Sequence, residues 1–336
     1  MSKLKEEIVR KLASAFGEGE VISTKDRGSK KESKWSKSFK SENGEDEFDT
    51  IQRIFGLSES ARGLFEAAKS GNGNEKQKIL TLHSSSLLAF LCFNDVANHP
   101  ITIDKTEYNE VMFEVKNDVI DASLGKPSNI DVLLMGENRK KLLFLESKFT
   151  EYLSGEKVFL SPDRYETFYT KLTKKFDCPF SVGYVTVNSK TDKSQKTQYA
   201  LYKGKKTSQY LEGIKQAFSH LLGIATGPAK EQTKGNEDYT RSLLENADEI
   251  KFASIVFNCD NKKFGKYKDL YESVFENSNV ILETIKEVLP KSEIKLKIIS
   301  ELLEYQEVFQ ANNLSDEVRN FYNKVNVSDI SFSNDK

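Results

Sequence analysis

Apolar residues recur at Leu4, Ile8, Leu12 and Phe16, a spacing of four that predicts a short amphipathic helix over 3–16. Ile51, Ile54, Phe55 and Leu64 carry a second helical pattern through 48–70, and SGNGNEKQ (70–77) follows as a loop. HSSSLLAFLCFNDV (83–96) opens with serines able to cap a helix and continues strongly apolar, which reads as a buried helix. EVMFEVKNDVI (110–120) is rich in β-branched and aromatic residues and reads as a strand. Two apolar stretches, 129–135 and 141–148, flank a short polar turn and predict a hairpin. Next come a helix with a basic end at 164–176, a strand at 180–188, a lysine-rich loop at 189–197 and a short strand at 198–204. Leu211, Ile214, Phe218, Leu221 and Leu222 fall on one side of a helix over 208–226. A loop at 227–239, a short helix at 241–247 and a strand at 250–259 complete the pattern, and 265–325 is helical in character.

This order predicts an α/β protein with helices packed on a central mixed sheet. It divides the chain into an N-terminal helical region (1–78), a core (79–262) and a C-terminal helical region (263–336).

Composition adds solvated segments to that picture. Of 336 residues, 38% are hydrophobic and 30% charged, so a folded core with polar excursions is expected. The stretch TKDRGSKKESKWSKSFKSENGEDEF (24–48) has the composition of a mobile segment. Its Trp35 and Phe39, set among Lys31, Lys34, Lys37 and Lys40, could form a nucleic-acid-contacting arm, although a solvated linker is the simpler reading. With a net charge of -1, attraction to nucleic acid must come from local patches. Cys92, Cys178 and Cys259, like His83, His99 and His220, are scattered and match neither a disulfide framework nor a zinc site. The N-terminus lacks the apolar core of a signal peptide and no run reaches the length of a membrane span, so a soluble, cytoplasmic protein is expected. The glycines at 71–73 do not open a strand-to-helix phosphate loop, so no nucleotide cofactor is expected.

The hairpin concentrates the chemistry. In SNIDVLLMGENRKKLLFLESKFTE (128–151), Asp131 opens one apolar stretch while Glu146 and Lys148 close the other. A turn centred on Asn138–Arg139 pairs Asp131 with Glu146, puts Glu146 and Lys148 on one face and Ser147 on the opposite one. Two facing carboxylates repel unless a cation lies between them, and Mg²⁺ suits carboxylates, a backbone carbonyl and waters. A nearby lysine could hold a metal-bound water or stabilise charge on a phosphate. These parts suit phosphodiester hydrolysis.

Asp131, followed by Glu146-Ser147-Lys148 on the next apolar strand, resembles the PD-(D/E)XK nuclease superfamily, which includes many restriction endonucleases. The resemblance covers about 80–260 and implies a restriction-endonuclease-like αβββαβ core with helical N- and C-terminal additions. It implies that Asp131, Glu146 and the Ser147 carbonyl bind Mg²⁺ (or Mn²⁺), and that Lys148 positions the attacking water. Glu114 is the candidate for a further acid. Gln216 is the candidate for the family's glutamine, with His220 four residues on in place of the usual tyrosine. Asn129-Ile130 stands where the family has its leading proline.

Lys171, Lys174, Lys175, Lys190, Lys193, Lys196, Lys203, Lys205 and Lys206, with Tyr169, Tyr199 and Tyr202 among them, would then form a basic wall for the substrate backbone. The expected activity is a Mg²⁺-dependent DNA endonuclease of restriction or defence type, acting as a homodimer on duplexes or singly as a nicking enzyme. The alternatives are a nuclease for RNA or for branched or single-stranded DNA, a non-catalytic DNA-binding or assembly module with this fold, and a structural protein whose C-terminal helices bind a partner.

Overall fold

A computed structural model of the protein describes residues 3–17, 19–25, 32–70, 78–153, 158–188, 195–203, 211–229, 236–259, 261–311 and 314–325. Helix α1 (Lys3–Ala13) packs on a ribbon of β1 (Val21–Lys25) and β2 (Glu32–Phe39), before α2 (Glu47–Phe55), α3 (Arg62–Ala68) and α4 (Ser85–Phe93). A small hairpin, β3 (Ile101–Ile103) and β4 (Thr106–Tyr108), leads into β5 (Glu110–Asn117), β6 (Ser128–Gly136) and β7 (Lys141–Lys148). The insert that follows holds β8 (Val158–Phe159), α5 (Pro162–Lys175), β9 (Ser181–Asn188) and β10 (Gln195–Tyr202). Then come α6 (Leu211–Thr226), α7 (Asn236–Asn246) and β11 (Glu249–Val256). The chain closes with α8 (Asn261–Phe275), α9 (Ser278–Val288), β12 (Leu296–Ile298), β13 (Leu303–Glu304), α10 (Tyr305–Ala311) and α11 (Asp316–Asn323).

The central sheet has the order β12-β11-β7-β6-β5, with β13 also paired to β11. Strands β5, β6 and β7 are antiparallel neighbours, whereas β11 runs parallel to both β7 and β12, so the sheet is mixed. Almost every residue of β7 and β11 is buried, as strands covered on both faces require. Successive residues of β7 show which helix covers which face. Ser147 Oγ donates to the Ser85 carbonyl of α4 at 3.2 Å, while the neighbouring Glu146 meets His220 of α6. Helices α4 and α6 therefore lie on opposite sides of the sheet, and the chain is an α/β fold with helices flanking a central mixed sheet.

Local chemistry explains both helices. Ser84 Oγ accepts the Leu87 N–H at 3.1 Å and caps α4, whose sequence SSLLAFLCF is apolar all round and suits an interior helix. Gly223 lets α6 approach β6, since a Cβ there would stand 2.4 Å from Ser128 Oγ. One continuous set of buried apolar residues runs from Ile8 to Val325, so the N- and C-terminal regions share the core of the middle one.

Several elements differ from the sequence expectation. The 48–70 helix is broken at Gly56, whose left-handed φ of 66° caps α2. Part of the expected mobile segment 24–48 is β-ribbon, and Phe39 is buried against Phe16, Phe55 and Phe321 instead of being free to stack on bases. Lys37 Nζ donates to Ser23 Oγ at 2.9 Å and Lys40 is exposed, while Lys31 and the side chains of Lys34 and Trp35 lie outside what the structure describes. Helix α7 begins at Asn236, inside the expected loop 227–239, and β10 begins at Gln195, inside the expected lysine loop. The C-terminal region contributes β12 and β13 to the central sheet; strands this short carry too few alternating positions to stand out from helical surroundings. Among the described residues no helix is long and apolar enough to cross a membrane.

The β6–β7 register runs from Gly136 opposite Lys141 to Val132 opposite Leu145, around a turn in which Glu137, Asn138 and Arg139 all have positive φ. Gly136 ends β6 against the backbone of β4's Glu107. Gly136→Ala should destabilise the protein by about 1–3 kcal/mol, because its Cβ would lie 2.1 Å from the Glu107 carbonyl oxygen. Urea denaturation measures this, and an unchanged midpoint would mean that the two strands are not in close contact.

Candidate functional site

Two ladders place three carboxylates at one level of the sheet. The β6–β7 ladder reaches Val132 opposite Leu145, and its register counted one step further sets Asp131 across from Glu146. On the other side, Phe113 faces Val132 and Val115 faces Ile130, which sets Glu114 across from Asp131. Glu114 makes no ladder pair because it adopts a φ of 54° inside the strand. A non-glycine residue held there costs about 1–3 kcal/mol, and such strain concentrates at functional sites. The Glu114 side chain is buried and accepts the Asn129 Nδ2 hydrogen bond at 2.6 Å.

Glu146 is almost fully buried between Lys148 and His220. Lys148 Nζ donates to its Oε1, and also to the Ser147 carbonyl at 3.2 Å. His220 Nε2 lies 2.6 Å from its Oε2 without the alignment of a hydrogen bond, leaving both atoms unsatisfied. Burial alone would raise the Glu146 carboxyl, but His220 and Lys148 outweigh it and hold it below the usual carboxylate range. Burial alone would lower the Lys148 ammonium, but Glu146 and Asp131 overcome it and keep the group charged. Half-buried Asp131 behaves oppositely: burial and the charge of Glu146 push its carboxyl well up, against the pull of Lys148. Its Oδ2 accepts the Ser147 N–H at 2.7 Å.

Ser147 points the other way. Its Oγ donates to the Ser85 carbonyl and sits 2.7 Å from the buried Tyr305 hydroxyl; with each proton used once, Tyr305 is the donor to Ser147. The C-terminal α10 therefore fixes the strand from behind at the residue between Glu146 and Lys148.

A cavity of about 410 Å³ gathers the groups in front. Glu114, Asp131, Glu146, Lys148 and Gln216 all line it, with Glu151, Arg164, Tyr165, Lys215, Ser219 and His220. Sequence reasoning placed His220 on the same helix face as Gln216 but gave it no role, although the four-residue spacing was a usable signal. Arg164 and Tyr305 were missed, and nothing in their local sequence marks them.

The lysines are spread more widely. Lys171 and Lys175 are paired with Glu287 of α9 at 3.0 and 2.6 Å, and Lys174 is exposed beside them. This end of α5 lies ~15 Å along the helix from Arg164, at about 1.5 Å per residue. Lys196 on β10 and Lys203 just after it are exposed, whereas Lys190, Lys193, Lys205 and Lys206 lie outside the described residues. Tyr169 is fully buried and Tyr199 buried against Tyr184, so neither ring is free to stack on a base.

Among the described residues no three His, Cys, Asp or Glu side chains are gathered as a ready metal cage. A hard cation nevertheless fits the donors present. Asp131 and Glu146 offer carboxylate oxygens, Ser147 offers a carbonyl, and waters would complete such a shell. Glu146 Oε2 has no hydrogen-bond partner, and burial with the charge of Glu146 raises Asp131, so a bound cation would relieve both.

A model of the family described as Restriction Endonuclease associating with ARP matches residues 56–223, half of the chain. The match begins at the Gly56 cap of α2 and ends within α6, spanning Asp131, Glu146, Lys148, Gln216 and His220. Neither a curated protein nor a solved structure matches the chain.

Two substitutions probe the geometry. Tyr305→Phe removes one buried hydrogen bond and should lower stability by about 0.5–1.5 kcal/mol in urea denaturation; no loss would mean that the Ser147 contact contributes nothing. Asp131→Asn keeps an acceptor for the Ser147 N–H while deleting the charge that opposes Glu146. The metal-free protein should therefore gain about 0.5–2 kcal/mol, as functional sites often trade stability for activity. A lower melting temperature for that variant would contradict the charge repulsion.

Proposed function

Since the chain belongs to the family of restriction endonucleases associating with ARP, we propose that it hydrolyses phosphodiester bonds of DNA with the help of Mg²⁺, Mn²⁺ being a substitute, as a member of the PD-(D/E)XK superfamily. The observation that carries this reading is the convergence of Asp131, Glu146 and Lys148 on one cavity from adjacent strands. Asp131, Glu146 and the Ser147 carbonyl would hold the ion. When bound, it would act as a Lewis acid towards a phosphate oxygen and acidify a coordinated water.

The chain's own side chains do the rest. Lys148, bonded to Glu146 Oε1 and the Ser147 carbonyl, has its ammonium within the cavity, where it can orient a water or meet an oxygen of the attacked phosphate. Gln216, on the same helix face as His220, can hold a water or a phosphate oxygen by its amide. Glu114, fixed by Asn129, keeps a further carboxylate on the cavity wall. The exposed Lys174, Lys196 and Lys203 can meet more distant phosphates. The family description also names an association with ARP, and the same association is proposed for this chain.

One observation favours a second reading, a DNA-binding module that does not cut. Both Glu146 oxygens already have a close neighbour, Lys148 at Oε1 and His220 at Oε2, so a metal must displace one of them. Incubating the purified protein with plasmid, single strands and RNA, with Mg²⁺ or with EDTA, decides between the two. DNA cleavage with Mg²⁺ alone is expected, falling by ~100-fold or more in Lys148→Ala, the scale of losing one electrostatic stabiliser. Metal-independent cleavage, or full activity of Lys148→Ala, would remove the nuclease reading. Binding without cleavage would favour the second. Sedimentation on duplex DNA shows whether two copies or one engage it.

A further inference from the structure

Among the described residues, the cavity also holds a cation with no ion-pair partner. Arg164, in the first turn of α5, is only 9% exposed and lines the same cavity as the carboxylates. Its Nη1 donates to the Lys126 carbonyl at 2.8 Å, but Nε and Nη2 are buried with no hydrogen-bond partner. Arg164 forms no ion pair among the described residues, in contrast to the Lys148–Glu146 pair nearby. Around it are the Tyr165 ring, 5.9 Å away, and the turn at Gly125. Gly125 has a φ of 128°, and a Cβ there would come within 2.7 Å of Nη2.

A guanidinium so deeply buried and so poorly paired is unfavourable unless something completes it. Its planar fork matches two oxygens of a phosphate, gripped side by side. One other part of the cavity also favours an anion. Ser85 and Ser86, the first residues of α4, line it too, and the first N–H groups of a helix attract negative charge. At about 410 Å³ the space is that of a small-molecule pocket, large enough for a phosphate with its sugar.

We infer that Arg164 is a phosphate seat, its Nε–Nη2 edge gripping two oxygens of a substrate phosphate beside the one attacked at Asp131, Glu146 and Lys148. The inference rests on the nuclease reading above. In the present conformation neither nitrogen is open to water, so occupancy requires a small outward shift of the Gly125 turn, which carries no side chain to resist it.

The test uses the full chain in EDTA, with inorganic phosphate as the probe in isothermal titration. Wild type should bind it saturably, Arg164→Met should weaken that binding by about tenfold or more, and Arg164→Lys should fall between, keeping the charge but not the fork. Asp131→Asn, in which cleavage is lost under the proposed function, should still bind phosphate. Equal affinity in Arg164→Met and wild type, or no saturable binding by wild type, overturns the inference. Circular dichroism checks the folding of each variant; if Arg164→Met does not fold, Arg164→Lys decides alone, unchanged affinity overturning the inference and weakened affinity supporting it.

A second arm compares oligonucleotides ending in a 5′-phosphate or a 5′-hydroxyl. A 5′-phosphate preference that weakens in Arg164→Lys and disappears in Arg164→Met assigns the seat to a terminal phosphate, and equal Arg164-dependent binding of both assigns it to an internal one. Failure of wild type to cut any nucleic acid would remove the nuclease reading yet leave the phosphate titration to judge Arg164.

Discussion

Glu146 is a charge with almost no water, and the arrangement around it follows from that. A lone carboxylate in a sheet interior would be driven to its neutral form, because burial costs far more than a single exposed pair returns. Here the Lys148 ammonium and the His220 ring lie on either side of it, and both pull its ionisation in the charged direction. Lys148 is in turn kept charged by Glu146 and Asp131. Removing Glu146 or Lys148 leaves the other buried without its counter-charge, which ties the β6–β7 register, the placement of α6 and the chemistry of the cavity into one unit.

That unit is built on the alternation of β7. Glu146 and Lys148 face α6 and the cavity, while Ser147 faces α4 and α10. A slip of one residue in the β6–β7 pairing would exchange these faces, burying Ser147 among charges and driving two ions into an apolar layer. The positive φ angles of Glu137, Asn138 and Arg139 are the local cost of a turn that keeps the register, and the Arg139–Glu110 pair at 2.7 Å closes it onto β5. Tyr305 shows that the C-terminal segment supports this strand as well as completing the sheet edge through β12 and β13.

Charge is distributed unevenly between the cavity and the outer surface. Inside, carboxylates predominate and Lys148 and Lys215 are paired, whereas Arg164 forms no ion pair among the described residues. Outside, Lys171 and Lys175 are held by Glu287, which leaves Lys174, Lys196 and Lys203 as the exposed basic groups among the lysines of the insert that the structure describes. A long polyanion would therefore meet a discontinuous set of positive contacts and a narrow charged recess, consistent with a family of restriction endonucleases. Association is then expected to be salt-dependent, with discrimination concentrated in the recess.

The local features were legible in the chain itself. Two continuous apolar runs around a short polar turn located β6 and β7 and set Asp131 level with Glu146, because strand geometry depends only on neighbours along and directly across the hairpin. Serines before an apolar run marked α4, and apolar residues falling on one helical side marked α6. The partners of the charged residues were not legible. His220 beside Glu146, Tyr305 behind Ser147, Arg164 without an ion pair among the described residues, and Phe39 buried where an exposed arm was expected all depend on segments far apart in sequence. Their meeting is decided by how helices and strands pack, and no local period records that. The sequence by itself therefore determined which residues share a strand face, and the tertiary structure decided which charges are answered and which is left waiting for an anion.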